Sequence, residues 1–138
     1  MQAKSSPTAL IERLRRAINQ HDLDALIACF DPDYRSEQPL HPGRGFDGKE
    51  QVRKNWARIF DAVPDIEMTM LRCASEGDTV WAECEWRGTR ADGATFTMRG
   101  VTIQGVRRGR ISWARLYVEL VEEGGENIDE AVQSMTER

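Results

Sequence analysis

The sequence predicts an α+β protein in which three N-terminal helices pack on a strongly curved, mainly antiparallel sheet. Three observations predict it. From Asp78 to Glu119 the chain holds the strand-like runs TVWAECEWRGTR and ATFTMRGVTIQGV, joined by Ala91-Asp92-Gly93, and then ISWARLYVEL after Arg108-Gly109-Arg110. Within the first run Val80, Ala82, Cys84 and Trp86 alternate with Trp81, Glu83, Glu85 and Arg87, the period of two of a pleated strand. Before Asp78, apolar residues recur at helical spacing instead.

Each element has a local reason. Ser6 can cap a first helix and Pro7 suits its first position, where a missing N–H costs nothing. Leu10, Leu14, Ala17 and Ile18 share one face of it, and Asn19-Gln20-His21 breaks it. Asp22 caps a second helix with Leu23, Leu26, Ile27 and Phe30 apolar, and Pro32 stops it. Tyr34 to Gln38 is a short strand, and Pro39 to Gly48 is a loop with two prolines and three glycines. Gly48 to Ala62 is a third amphipathic helix, with Val52, Trp56, Ile59 and Phe60 on its apolar side. Val63-Pro64-Asp65 ends it. Ile66 to Ala74 opens the sheet, with Ile66, Met68, Met70 and Arg72 on one face. Asp-Gly and Arg-Gly provide positive-φ positions for the hairpins that follow. The acidic tail, 122–138, either closes with a short helix or stays disordered.

Residues 1–138 read as one domain, with a core over about residues 8–120. Charged residues are 30% and hydrophobic ones 40%, a soluble globular composition. The net charge of −4, with Lys and Arg spread out, argues against broad nucleic-acid binding. Arg107, Arg108 and Arg110 cluster only at a hairpin tip. No apolar run approaches a membrane span, and MQAKSSPTAL has no signal-peptide core. Cys29, Cys73 and Cys84 read as reduced thiols of a cytoplasmic protein. Two distant histidines and three scattered cysteines are poor material for a metal site, and there is no phosphate loop or dinucleotide fingerprint. No cofactor is expected.

The order of helix, helix, short strand, helix and four long strands resembles the SnoaL-like group of the NTF2-like (nuclear transport factor 2-like) superfamily of α+β cones. NQHDLDALIACFDPDY, GKEQVRKNWARIFDAVPDIEM, EGDTVWAECEWRGT and MRGVTIQGVRRGRISWARLYVE carry the likeness, over about residues 8–120. The resemblance implies a conical pocket between the helices and the concave face of the sheet. Alternation then points Tyr34, Ser36 and Gln38 inward, with Val80, Ala82, Cys84 and Trp86 on the next long strand. Met98, Gly100, Thr102 and Gln104 follow, then Ala114, Leu116 and Val118. Leu14, Ile18, Trp56 and Phe60 come from the helices. A mostly apolar lining with a few polar groups suits a small molecule, and a plain filled core needs the same pattern.

The superfamily's known chemistry carries over poorly. The steroid-isomerase roles of tyrosine, aspartate base and protonated aspartate, a site the general literature of pKa tuning uses as its example, fall on Leu14, Gln38 and about Thr102. The carboxylate of SnoaL-type cyclases and limonene-type epoxide hydrolases falls on Leu116, and the hydrolases' Arg-x-Asp pair on Ala82 and Cys84. Tyr34, Gln38 and His41 are then the candidate catalytic residues. His41, in PLHPGRGF at the expected mouth, is of a residue type whose unperturbed pKa suits general acid–base work, but a solvent-exposed loop histidine is the preferred reading. Glu37 points outward unless a bulge at Pro39 turns it in. Arg44 either meets an anion at the rim or caps its loop. Leu14, Ile18, Ser36, Trp56, Phe60, Cys84, Trp86, Met98, Thr102 and Leu116 are the candidate substrate contacts. Cys84 reads better as a small buried hydrophobe than as a nucleophile.

On the opposite face Trp81, Glu83, Arg99, Trp113, Arg115 and Tyr117 combine aromatic surface with pairable charges. That face is expected to join a homodimer. The leading expectation is a protein that binds a small, largely apolar molecule and, if an enzyme, performs cofactor-independent isomerisation, cyclisation, elimination or hydration. The alternative is a non-catalytic ligand-binding or assembly module.

Overall fold

The computed structural model describes residues 6–137. Helix α1 spans Pro7–Asn19, and the Ser6 hydroxyl accepts from the Ala9 N–H at 3.1 Å as its cap. It buries Leu10, Ile11, Leu14, Ala17 and Ile18. Helix α2, Leu23–Ile27, is capped by Asp22 and is shorter than its apolar pattern suggests. Strand β1 begins at Phe30 and runs to Glu37, so Pro32 lies inside a strand rather than ending a helix. The pairing of β1 with its neighbour shifts between Phe30 and Arg35. At such an irregularity a residue with no N–H forfeits no ladder bond, which is why proline is tolerated there.

A single 3₁₀ turn, Pro42–Arg44, leads to the two-residue strand β2, Phe46–Asp47, which pairs antiparallel with β1. Helix α3 spans Lys49–Ala62. Strands β3 (Glu67–Glu76), β4 (Thr79–Thr89), β5 (Thr95–Arg107) and β6 (Arg110–Leu120) follow. The sheet order is β2-β1-β6-β5-β4-β3, with β1 parallel to β6 and the other neighbours antiparallel. In β3 a bulge between Met70 and Arg72 breaks the alternation. Cys73, not Arg72, then takes the inner position opposite Ala82, and Arg72 is exposed. At the β5–β6 turn Arg108 and Gly109 both have positive φ; at Asp92-Gly93 only the glycine does. After Leu120 the chain forms helix α4, Ile128–Thr136, closed by an Asn127–Glu130 capping box. No described helix is long and apolar enough to cross a membrane.

Two devices shape the cone. The Asn19 side chain meets the backbone of Met68 from both sides: the Met68 N–H donates to its Oδ1 at 2.6 Å, and its Nδ2 donates to the Met68 carbonyl at 3.0 Å. His21, at φ 53°, places Nε2 2.8 Å from the Ile66 carbonyl. The end of α1 is thereby fastened to the free edge of β3. The second device is Gly100, in the middle of β5 at φ 155° between Cys84 and Val118 of the neighbouring strands. A Cβ there would stand 2.0 Å from the Tyr117 carbonyl oxygen and 2.7 Å from the Val118 Cα. The close approach of β6 therefore needs a residue with no side chain at this point.

Gly100→Ala should lower unfolding stability by about 3 kcal/mol, because the clash is with backbone and the φ is strained. Urea denaturation checks this; a change within 0.5 kcal/mol or so would mean that the strands part at no cost.

Candidate functional site

Helices α1 and α3 and the concave sheet enclose a cavity of about 280 Å³. Its walls are apolar: Leu14 and Ile18 from α1, Val52, Trp56 and Ile59 from α3. Phe30, Phe46, Met68, Trp86, Met98 and the pair Leu116 and Val118 complete them from the strands. The deep end is polar. Tyr34, Ser36, Thr102 and Gln104 line it, and all four are buried. Gln38, Arg44 and Asn55 line the more open end.

Alternation explains most of this set. Tyr34, Ser36 and Gln38 stand on one face of β1, and Thr102 and Gln104 on one face of β5. Ser36, Ala114 and Gln104 share a row across β1, β6 and β5. The small Ala114 leaves room between the two polar side chains. Thr102 Oγ1 donates to Gln104 Oε1 at 3.4 Å. Burial pushes the Tyr34 phenol up to about 12, and the Ser36 hydroxyl pulls it only partly back. Tyr34 is therefore a neutral hydrogen-bonding group at any physiological pH and no base. Among the described residues, the one buried side-chain polar atom with neither solvent access nor a partner is Trp86 Nε1.

The three candidate catalytic residues are not brought together. Tyr34 lies deep and Gln38 at the open end, where it accepts from Arg44 Nη1 at 3.2 Å. His41 lies outside the lining. Its Nε2 meets the carboxylate of Glu119, which shares the convex face of β6 with Arg115 and Tyr117. The 3₁₀ turn carries the imidazole around the rim, where the Glu119 side chain of the far face meets it. Arg44 also approaches Glu119, at 3.9 Å. Glu37 is exposed and pairs with Arg35 at 3.3 Å, so no bulge turns it inward.

Of the ten candidate substrate contacts, Leu14, Ile18, Ser36 and Trp56 line the cavity, as do Trp86, Met98, Thr102 and Leu116. Phe60 and Cys84 do not. Phe60 stacks between His21 and Trp56, at centroid distances of 5.3 and 5.7 Å, and braces Trp56 from behind. Cys84 is fully buried under the wall, and burial pushes its thiol up to about 12, which leaves it inert as a nucleophile. Asn55 and Phe46 are lining residues that the candidate set lacks. Asn55 had a signal, a polar residue three after Val52 and four before Ile59 on the apolar stripe of α3. Phe46 had none, because its position depends on β2 pairing with β1. Among the described residues no three His, Cys, Asp or Glu side chains gather as a metal site would require.

Residues 11–114 match the family model described as SnoaL-like domain. Among solved structures, a loop-truncated variant of IdmH is 28% identical, with a TM-score of 0.70, over 83% of this chain and 93% of that one. Wild-type IdmH from Streptomyces antibioticus, described as a candidate polyketide cyclase, is 25% identical with a TM-score of 0.71, over 84% and 92% of the two chains. Rv0760c from Mycobacterium tuberculosis, in complex with estradiol-17β-hemisuccinate, shares the fold at 23% identity and a TM-score of 0.70, over 91% and 97%. No curated protein matches the chain.

The raised values of Tyr34 and Cys84 make stability depend on alkaline pH. Both groups keep their protons in the folded state to about 12, whereas unfolded they lose them near their ordinary values of 10.0 and 9.0. Their contribution is intact below about pH 9 and is lost as pH rises toward 12. Tyr34 alone accounts for about 3 kcal/mol of that loss. Tyr34→Phe should flatten the fall between pH 10 and 12, measured by chemical denaturation in matched buffers; an unchanged slope would place the phenol in water.

Proposed function

The chain belongs to the SnoaL-like domain family, and on that premise we propose that it binds a small, largely apolar organic molecule in the cavity between α1, α3 and the sheet. One observation carries this reading: the cone is not filled, and its apolar walls end in a buried patch of neutral hydrogen-bonding groups. The complex of Rv0760c with a steroid ester supports it by analogy of fold.

Among the described residues, the lining holds no aspartate, glutamate, histidine or lysine. A reaction in this cavity is therefore not carboxylate or imidazole proton abstraction. What the walls can do is fold a flexible ligand and let Tyr34 and its neighbours donate to an oxygen that gains charge. Cyclisation suits that repertoire best, and the likeness to IdmH supports it. No cofactor is required for it. Three unpaired thiols support a cytoplasmic setting.

A thermal-shift screen of uncharged mono- and bicyclic ring compounds should yield ligands that raise Tm. Trp56→Ala should weaken them about tenfold to a hundredfold by removing an aromatic wall, and Glu119→Gln, at the rim, should leave them unchanged. A screen without ligands, or ligands indifferent to Trp56→Ala, would sink the proposal.

The convex face fits a homodimer. Trp81 and Tyr117 are 39% and 37% exposed there, Arg99 pairs with Glu85 at 3.2 Å, and Arg115 lies 5.0 Å over the Trp113 ring. Aromatic surface ringed by both charge signs suits a self-complementary contact. Light scattering at micromolar concentration should show a dimer that Trp81→Glu converts to monomer. A monomeric wild type refutes the interface.

A further inference from the structure

One donor at the deep end of the cavity is short of an acceptor. Gln104 is only 5% exposed and Ser36 only 2%. Gln104 Oε1 is used by Thr102, at 3.4 Å, but its Nε2 has no acceptor among the described residues. The Ser36 hydroxyl and the Tyr34 phenol are hydrogen-bonding neighbours of each other, which leaves the Gln104 amide as the unpaired donor. Trp86 Nε1 is sealed in packing without a partner, whereas Gln104 lines the cavity and its amide is not among the sealed, unpartnered groups. Donors buried without acceptors are unfavourable until a ligand supplies one.

Charge narrows the ligand further. Among the described residues, the one charged side chain of the lining is Arg44; it stands at the open end and is engaged by Gln38 at 3.2 Å and Glu119 at 3.9 Å. A ligand anion at the deep end would find no cation, and a ligand cation no carboxylate. Above the donors, Trp56, Trp86, Leu116 and Met98 provide flat and flexible apolar walls.

Resting on the binding reading above, we propose that the ligand is an uncharged ring compound that enters carbonyl oxygen first. Its oxygen accepts from Gln104 Nε2, with Ser36 and Tyr34 as neighbouring donors. Gln104 is then the residue that decides which ring compounds bind. The phenol of Tyr34, held protonated by burial, fits a donor's part.

Paired probes that differ in the carbonyl alone, α-tetralone and tetralin, test this with the full-length protein by calorimetry. Wild type should bind the ketone about tenfold to a hundredfold more tightly than the hydrocarbon, the usual worth of one buried hydrogen bond with its donor otherwise unpaired. The Gln104 side-chain amide should shift in ¹⁵N spectra with the ketone only. Gln104→Leu should erase the preference while leaving tetralin binding intact, and Ser36→Ala should reduce it if the first variant does not fold. Equal affinities in wild type, with a silent Gln104 amide, overturn this inference but not the binding reading. Failure of both probes, together with a ring-compound screen indifferent to Trp56→Ala, overturns both.

Discussion

The cone depends on how the free edge of β3 is held. An edge strand offers unpaired N–H and C=O groups, and a sheet this curved could uncurl along that side. Here the Asn19 amide takes both backbone groups of Met68, and His21 takes the carbonyl of Ile66. A side-chain amide presents one donor and one acceptor, as a strand residue does. It thus acts as one more rung of the ladder while belonging to a helix. Fastened there, α1 lays Leu10, Ile11, Leu14 and Ile18 across the sheet, and the opposite wall is left to α3.

Why a cavity remains follows from the same geometry. Gly100 lets β5 run where β6 leaves no room for a side chain, and the cavity lies between the concave strands and α3. The gap is then spanned by the long side chains Trp56, Trp86 and Met98, with small Ala114 beneath. The charged groups are kept at the rim and on the convex face. His41, Arg44 and Glu119 gather where water screens them. The interior keeps hydroxyls, an amide and a phenol, groups that desolvate at lower cost than charges.

The period of two was enough to name the inner face of β4, β5 and β6, because a buried concave face admits only one choice of alternation. The same rule put Tyr34, Ser36 and Gln38 on one face of β1. It failed where the pairing is irregular. The bulge in β3 exchanged Arg72 for Cys73, and the shift in β1 allowed Pro32 inside a strand where a regular ladder would exclude it. His41 was misplaced for another reason. Its loop sits at the rim, but which side its ring takes depends on Glu119, 78 residues away.

By itself the sequence determined the three N-terminal helices and the long strands, their order, the caps of α1 and α2, and which faces are apolar, since these depend on neighbours within a few residues. Only the tertiary structure decided that the cone stays open, that Phe46 joins its wall while Phe60 and Cys84 stand behind it, and that the buried Gln104 amide faces the cavity. Those are matters of where distant strands meet, as Ser36, Ala114 and Gln104 do in one row. Contacts so far apart in the chain leave no local periodicity by which they could be read.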